Sequence, residues 1–187
     1  LVFIFIHCII IALSMSAVKL SLPNQYTVHF NILLTGSRNW DDRDKMVRAL
    51  HMVHSDLREK WKDDSHCKFT LIHGACRGAD LMGAEIATSE LKWEQIACPA
   101  QWNVIKNGQT VFDRAAGVKR NQEMLKKYKP STVVAFLRDN SKGTRDTIQR
   151  ATRDDNVRTI YVVHYDKDEI QVMKPLHSTL HPYFMGK

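Results

Sequence analysis

Short apolar runs alternate along this chain with longer segments in which apolar residues recur every three or four positions. The short runs are rich in β-branched and aromatic residues, which predicts five strands at 27–34, 69–72, 93–97, 132–137 and 157–163. The longer segments predict four helices: one capped by Asp41 or Asp42 and running to about 61, and others at 79–91, 114–128 and 144–153. Residues 100–113 fit neither pattern, so we expect a long loop there, with 103–110 as a candidate lid.

The alternation of strand and helix predicts an α/β fold, with a doubly wound, mostly parallel five-stranded sheet and helices on both faces. Most of the strands are apolar at nearly every position, as expected for strands that are covered on both sides. In such sheets, ligands bind beyond the carboxyl ends of the strands, at the point where the strand order reverses. The functional site is therefore expected in the loops that follow the strands.

The predicted domain spans residues 26–164, and 165–187 are expected to form a C-terminal tail. We leave residues 1–25 out of the core. The apolar run Leu1–Leu13 has no basic residue before it and is shorter than the roughly 20 residues that a membrane-spanning helix needs. We interpret its presence as an over-extended reading frame with the natural start at Met15; a signal or anchor segment and a first strand are the alternatives.

The overall composition is that of a globular protein. Of the 187 residues, 44% are hydrophobic and 25% charged, which excludes collagen-like, coiled-coil and wholly disordered chains. The four cysteines are irregularly spaced and form no disulfide framework. We therefore expect reduced thiols and a cytoplasmic location.

The net charge of +7 is concentrated in one segment, Arg114–Arg153. This segment holds eleven basic and three acidic residues, so its excess of positive charge is larger than that of the whole chain. Such a segment indicates an anionic partner, either a phosphorylated ligand or a nucleic acid. A solvated face of surface helices is the alternative.

Three of the predicted strand-to-helix loops contain glycine beside hydroxyl-bearing or arginine residues. Glycine lets the backbone approach a ligand closely, and the helix that follows offers free N–H groups to a phosphate. For any one loop, ordinary turn chemistry is the alternative. The candidate ligand-binding residues in these loops are Thr35, Gly36, Ser37, Arg38, Gly74, Arg77, Gly78, Ala79, Asp80, Lys142, Gly143 and Thr144.

The loops do not carry the standard nucleotide signatures. Neither G-x-G-x-x-G nor G-x-x-x-x-G-K-[ST] occurs, which disfavours a dehydrogenase and a P-loop NTPase. Asp80 is interpreted either as a contact to a ribose hydroxyl or as an acceptor for the amides of its own loop. Trp40 and Trp102 lie in or beside the loops, where they are candidates for stacking on a base, with core packing as the alternative.

Neither a metal nor a cofactor is predicted. Histidine and cysteine come close together in one stretch, but their spacing fits no zinc pattern: His66, Cys67, His73 and Cys76.

Five motifs together resemble a known family. They are TGSRNW (35–40), HGACRGAD (73–80), CPAQW (98–102), AAGVKRNQEM (115–124) and a late GT (143–144). The set is similar to the YspA-like, cpYpsA-related branch of the SLOG superfamily. This resemblance implies a Rossmann-like fold and a nucleotide or nucleotide-derived ligand. Related proteins include the LOG enzymes, which split a nucleoside monophosphate into base and ribose phosphate, and the Smf/DprA proteins, which bind single-stranded DNA.

The resemblance to the LOG enzymes can be followed at single residues. Their R-x-x-x-M helix is matched by Arg120 and Met124, and the end of their G-G-x-G-T loop by Gly143 and Thr144. It implies that Arg120, with Asn121 beside it, binds a 5′-phosphate. It also implies that Asp146 is the catalytic carboxylate, which stabilises an oxocarbenium-like centre or orients an attacking water, while Arg120, the second catalytic candidate, neutralises the phosphate.

This chain departs from the LOG pattern in two places. Asn140-Ser141 stands where LOG enzymes have a glycine pair, and Asp146 stands where they have glutamate. For Asp146, an acid that merely faces the helix dipole is the alternative, and for Arg120 it is a surface charge.

Three functions follow from these observations. The first is a nucleoside-phosphate N-glycosidic hydrolase, the second a nucleotide sensor without turnover, and the third single-stranded nucleic-acid binding through residues 114–153. The third is weakened because only Tyr128 and Phe136 are aromatic in that segment. The expected partner is a nucleotide-derived small molecule, with nucleic acid as the alternative. Assembly into a homo-oligomer is a further possibility, and the core domain is not expected to interact with a membrane.

Overall fold

A computed structural model describes residues 27–60 and 67–175 of the chain. The apolar run within 1–25 and the end of the expected tail lie outside these residues. Within them, eight strands and four helices follow one another: β1 (Val28–Gly36), α1 (Arg43–Glu59), β2 (Cys67–His73), α2 (Ala79–Ser89), β3 (Glu94–Ala97), β4 (Asn103–Lys106), β5 (Gln109–Phe112), α3 (Ala116–Tyr128), β6 (Thr132–Leu137), α4 (Lys142–Ala151), β7 (Thr159–His164) and β8 (Ile170–Met173).

Six of the strands form one sheet, in the order β3-β2-β1-β6-β7-β8. The first five are parallel, and β8 pairs antiparallel with β7. The chain first builds outward from β1 to β3, then returns to the other side of β1 with β6. The strand order therefore reverses between β1 and β6, which confirms the predicted doubly wound, mostly parallel sheet.

Residues of β1 alternate between the two faces of the sheet, and each face has its own core. Ile32 and Leu34 pack in the cluster that contains the buried side chains of α1 and α2. Leu33 packs on the opposite side, with Met124 and Leu125 of α3 and Ala151 of α4. Helices thus cover both faces, as the apolar strands predicted.

The prediction of five strands is wrong, because β8 is a sixth strand in the sheet. It lies beyond residue 164, in what was expected to be a tail. The connection that leads to it is held by the buried side chain of Lys45 on α1. The ammonium group of Lys45 donates to the carbonyls of Tyr165 at 2.7 Å and Lys167 at 3.3 Å.

The prediction of a long loop over 100–113 is also wrong. β4 and β5 pair antiparallel there and form a two-stranded hairpin. Its turn is Asn107-Gly108, with φ of 51° and 77°. Two central residues with positive φ give the turn whose twist matches that of the paired strands. The hairpin is anchored at its base, where the backbone N–H of Asp113 donates to the carbonyl of Trp102 at 2.7 Å.

None of the helices in the described part of the chain is long and apolar enough to cross a bilayer.

Candidate functional site

A cavity of about 400 Å³ opens at the carboxyl ends of β1 and β6, where the strand order reverses. Its volume lies within the range of small-molecule sites. Five parts of the chain line it: the loop after β1, the loop between β2 and α2 with the first turn of α2, Trp102 before the hairpin, residues 114–124 in and before α3, and residues 138–144 between β6 and α4. The sequence-predicted residues that line the cavity are Thr35, Gly36, Ser37, Arg38, Asp80, Arg120, Asn121, Gly143 and Thr144.

The charge of this cavity is mainly positive. Four arginines line it, against two carboxyl groups, those of Asp80 and Asp139. The arginines come from three parts of the chain: Arg38 follows β1, Arg114 and Arg120 lie in and just before α3, and Arg138 follows β6. Guanidinium groups that converge in a concave site favour a phosphorylated ligand.

The loop after β1 is fixed mainly by its own backbone. Ser37 donates its N–H to the carbonyl of Phe136 at 2.9 Å, and its carbonyl accepts from Ala79 at 3.1 Å. A Cβ atom on Gly36 would overlap the Cβ of Ala79, so the glycine lets the N-terminus of α2 approach β1. Ala79 is fully buried, and its role is packing beneath the loop.

Gly78 supports the same contact. It is the N-cap residue of α2 and has a φ of +76°, in the region that favours glycine. A Cβ atom there would approach the backbone of Arg38 to 2.5 Å. Gly78 and the exposed Arg77 line a neighbouring cavity rather than the one between β1 and β6.

The guanidinium of Arg120 is held by backbone carbonyls. It donates to the carbonyl of Gly74 and, at 2.8 Å, to that of Cys98. Its Nε donates to the side-chain oxygen of Asn121 at 2.9 Å. Gly74 thus lies behind Arg120 instead of lining the cavity. Its Nη2 also donates to the Sγ of Cys76 at 3.7 Å. Four contacts thus fix the position of the Arg120 charge, which faces the cavity from one wall.

Asp80 brings a buried carboxyl group to the cavity. It is 5% exposed, and its Oδ2 accepts from the backbone N–H of Cys76 at 3.2 Å. Burial raises the pKa of Asp80 to about 6, and backbone hydrogen bonds and the charges of Arg120 and Arg38 oppose this rise. Asp80 therefore accepts from an amide of its own loop, as one of the two sequence interpretations expected.

The N-terminus of α4 is positioned by side-chain hydrogen bonds. Asn121 donates from Nδ2 to the hydroxyl of Thr147 at 2.9 Å, and that hydroxyl donates to the carbonyl of Gly143 at 3.0 Å. The hydroxyls of Ser141 and Thr144 lie 2.8 Å apart. The N–H groups in the first turn of a helix have no acceptor within that helix. Gly143 and Thr144 therefore present such groups at the cavity wall.

Asp146 and Lys142 do not join this cavity. Both line a separate groove of about 570 Å³ between α4 and the edge of the sheet. The carboxylate of Asp146 pairs with Arg150 one turn further along α4, at 2.8 Å. At about 100° per residue, Asp146 lies some 200° around the helix axis from Thr144. A helix that presents Thr144 to the cavity must turn Asp146 away from it.

Several residues of the cavity were not among the sequence-predicted site residues. Arg138 immediately follows β6, so the rule that selected the other loops could have found it. Its guanidinium pairs with Asp41 at 2.5 Å and lies over the ring of Tyr165 at 4.0 Å. Arg114 and Asp139 also line the cavity.

The two candidate tryptophans have different positions. Trp40 is 2% exposed and packs on Phe136, so core packing explains it. Trp102 lines the cavity and stacks on Phe112 of the hairpin at 5.7 Å between ring centroids. The guanidinium of Arg38 lies over the Trp102 ring at 5.5 Å.

The basic segment 114–153 is divided by the fold. Arg114, Arg120 and Arg138 face the cavity, whereas Lys119 pairs with Asp113 at 2.7 Å on the surface of the domain. The positive charge of the segment is therefore partly concentrated at the cavity.

Residues 30–104 match the model of a family described as the YspA, cpYpsA-related SLOG family. This finding confirms the resemblance seen in the sequence motifs. The match runs from β1 to the start of β4, so it includes Gly36, Gly74 and Asp80 and ends before α3 and α4. No curated protein and no solved structure matches the chain.

Proposed function

We propose that this chain, whose residues 30–104 match the SLOG family, binds a nucleotide or a nucleotide-derived phosphorylated ligand. The observation that carries the proposal is the cavity between β1 and β6, which four arginines and the N-terminus of α4 line together. Cavities at this point of a doubly wound sheet are where phosphorylated ligands commonly bind. The family match supports the same class of ligand.

In this proposal the phosphate lies against the first turn of α4. The N–H groups of Gly143 and Thr144 and the positive end of the helix dipole attract an anion. Arg114 is exposed, lines the cavity and forms no salt bridge with any carboxylate in the described ranges, so it is available to the phosphate. Arg120 adds positive charge while its guanidinium stays bonded to the carbonyls of Gly74 and Cys98.

The rest of the nucleotide is proposed to lie along Trp102 and Asp80. The ring of Trp102 is half-buried and stacks on Phe112, so a base that stacks on it would take the place of the Arg38 guanidinium that now lies over the ring. The carboxyl group of Asp80, which also accepts from the amides of Cys76 and Gly74, is the acceptor that we assign to a ribose hydroxyl. Both side chains line the same cavity as Gly143.

Binding without turnover is the form of this function that we favour. Hydrolysis in the manner of the LOG enzymes relies on a carboxylate at the position of Asp146, but that carboxylate is paired with Arg150 in another groove. Among the described residues, Asp80 and Asp139 are the acids that line the cavity. If a glycosidic bond is cleaved, Asp80 is therefore our candidate for the carboxyl group that acts.

Isothermal titration with the four common ribonucleoside 5′-monophosphates and the four parent nucleosides tests the proposal. We expect at least one monophosphate to bind about tenfold or more tightly than its nucleoside, a difference of about 1.4 kcal/mol. Arg114→Gln should weaken that binding. Arg153→Gln is the matched control, because Arg153 is exposed. It does not line the cavity between β1 and β6, the neighbouring cavity at Arg77 and Gly78, or the groove beside α4.

Chromatography of the same mixtures measures turnover. We expect the nucleotide to be recovered intact, and release of free base that is lost in Asp80→Asn would show an enzyme instead of a sensor. If no monophosphate binds, the proposal fails. If oligonucleotides alone bind, with an affinity that falls steeply with salt, the function is nucleic-acid binding.

A further inference from the structure

The hairpin of β4 and β5 forms a two-stranded sheet of its own, separate from the six-stranded sheet. All four residues of β5 are exposed, and in β4 only Val104 is partly buried. Three of the exposed side chains are large and apolar, namely Ile105 at 79%, Phe112 at 60% and Val111 at 41%. An isolated pair of strands is marginally stable, and a further strand or a covering element stabilises it. The hairpin therefore offers a sheet edge to a partner.

The hydrogen bonds of the hairpin determine which backbone groups β5 leaves free. The N–H of Asp113 donates to Trp102, so it points towards β4. Along a strand of an antiparallel pair, successive residues direct their backbone groups alternately towards the partner strand and away from it. Val111 is therefore bonded to β4, whereas the N–H and carbonyl groups of Thr110 and Phe112 point away from β4. Within the described ranges, no other backbone group bonds to them.

The free edge of β5 is complementary to itself. If β5 lies antiparallel beside β5 of a second copy, with Val111 on the two-fold axis, Thr110 of each chain lies opposite Phe112 of the other. The outward groups of each such pair then exchange two backbone hydrogen bonds, and the two hairpins become one antiparallel sheet of four strands. A second copy always supplies a strand of the same length and register.

The side chains fit this arrangement as well. Residues opposite one another lie on the same face, so Val104 and Val111 of both copies form one row of valines across the four strands. On the other face, Phe112 lies between Asn103 of its own hairpin and Thr110 of the second copy. β5 carries no charged side chain, so two copies of a chain with a net charge of +7 meet there without opposing like charges.

The outer edge of β4 fits a second copy less well. β4 ends in Lys106, and a charge on an edge strand opposes pairing with another copy of that strand. Val104 of β4 is partly buried where it lines a crevice with Ala116 and Lys119, whereas no residue of β5 is covered. β5 is therefore the edge of the hairpin that favours self-association.

We propose that β5 is a homodimer interface, at which it pairs antiparallel with β5 of a second copy across a two-fold axis at Val111. The interface involves few residues, so the dimer is a weak one. This inference is independent of the proposed function, because Thr110, Val111 and Phe112 do not line the cavity between β1 and β6.

Sedimentation velocity of the natural chain from about 10 µM to about 1 mM tests for the dimer. We expect a shift from monomer to dimer as the concentration rises. Thr110→Pro should abolish this shift, because proline removes an N–H group that points away from β4 and leaves the bonds within the hairpin in place. Ile105→Pro is the matched control, since Ile105 lies opposite Thr110 and belongs to the other edge. It should leave the dimer intact.

Two charged variants test the two-fold symmetry. Val111→Lys and Val111→Glu each place like charges opposite one another at the axis, so each should weaken association at least severalfold. An equimolar mixture of the two variants should restore the dimer, because opposite charges then face each other. Val172→Lys is the control for a lysine at an exposed valine outside the hairpin, since Val172 lies in β8 and is 45% exposed.

Three results would overturn the inference. The chain stays monomeric over the whole concentration range; it forms a dimer that Thr110→Pro and Val111→Lys leave unchanged; or the mixture of the two charged variants associates no better than either variant alone. A monomer that binds phosphatidylcholine vesicles, and loses this binding in Ile105→Ser, would assign the exposed apolar side chains to a lipid surface instead. The nucleotide titrations test the proposed function separately from all of these outcomes.

Discussion

The guanidinium of Arg120 occupies the space that a Cβ atom on Gly74 would take. It donates there to the carbonyl of Gly74 and, at 2.8 Å, to that of Cys98. One side chain of α3 thus bonds to the loops that follow β2 and β3. Gly74 is needed for its lack of a side chain, since any larger residue would displace the charge that faces the cavity.

Gly74→Ala is therefore expected to destabilise the domain by about 1–3 kcal/mol, because displacing Arg120 leaves two carbonyl groups without their donor. Urea unfolding at neutral pH measures the change. The same substitution in an Arg120→Met background should cost much less, because the overlapping group is already gone. Equal costs in the two backgrounds would show that the contact between residues 74 and 120 does not explain the glycine.

Gly143→Ala is expected to act in the opposite direction on stability. A Cβ atom at Gly143 meets nothing within 4 Å, and its φ is not in the left-handed region. Replacing a glycine within a helix by alanine should raise the free energy of unfolding by about 0.5–1 kcal/mol. If the amide of Gly143 binds phosphate, the added methyl group should weaken nucleotide binding in the more stable variant. A gain in stability with undiminished binding would argue against phosphate contact at this position.

The buried carboxyl group of Asp80 should make stability depend on pH. Its pKa rises from 3.8 to about 6 in the folded state, so folding favours the protonated form. The resulting stabilisation is full below pH 3.8 and is lost as the pH rises through about 6. The difference between these two values corresponds to about 3 kcal/mol.

Asp80→Asn isolates this contribution, because the amide oxygen can still accept from Cys76. We expect the variant to gain stability over the natural chain at pH 8, and the gain to shrink towards pH 4.5. The comparison cancels the effect of His73, whose pKa burial lowers and which favours folding at higher pH. Denaturant midpoints of the variant and the natural chain, measured across this pH range, test the prediction. A stability difference that does not vary with pH would contradict a raised pKa for Asp80.

Trp102 should report on the cavity by fluorescence. Its ring lies beneath the guanidinium of Arg38 and lines the cavity, whereas Trp93 is buried in the core and donates to His54 at 2.9 Å. Addition of a bound nucleotide is expected to change the emission of the natural chain and of Trp93→Phe. The change should be lost in Trp102→Phe. If it persists there, the base does not lie against Trp102.

Some parts of the structure that were missed do have signals in the sequence. Asn107-Gly108 between two short β-branched segments is a strong indication of a hairpin, and the structure has one at that position. β8 gives a weaker signal, because it is four residues long and Val172 is 45% exposed. A strand at the edge of a sheet needs no continuous apolar run.

The choice between Asp80 and Asp146 shows what helical geometry adds to a motif. Asp146 follows Thr144 closely in sequence, as the LOG comparison requires, yet two positions along a helix give nearly opposite directions. Asp80 lies in the first turn of α2 and turns back towards the amide of Cys76. Nearness in sequence selected Asp146, but the direction of the side chain brings Asp80 to the cavity.

The sequence by itself determined the alternation of strand and helix, and with it the edge of the sheet at which the loops after β1, β2 and β6 come together. Parallel strands place all their carboxyl ends on one side, so this result needs no knowledge of distant contacts. Tertiary structure alone decided which side chains meet there. Arg120 reaches Gly74 across 46 positions of the chain, and the hairpin brings Trp102 beneath Arg38. Such contacts depend on how helices and loops pack on the sheet, and local periodicity carries no information about that packing.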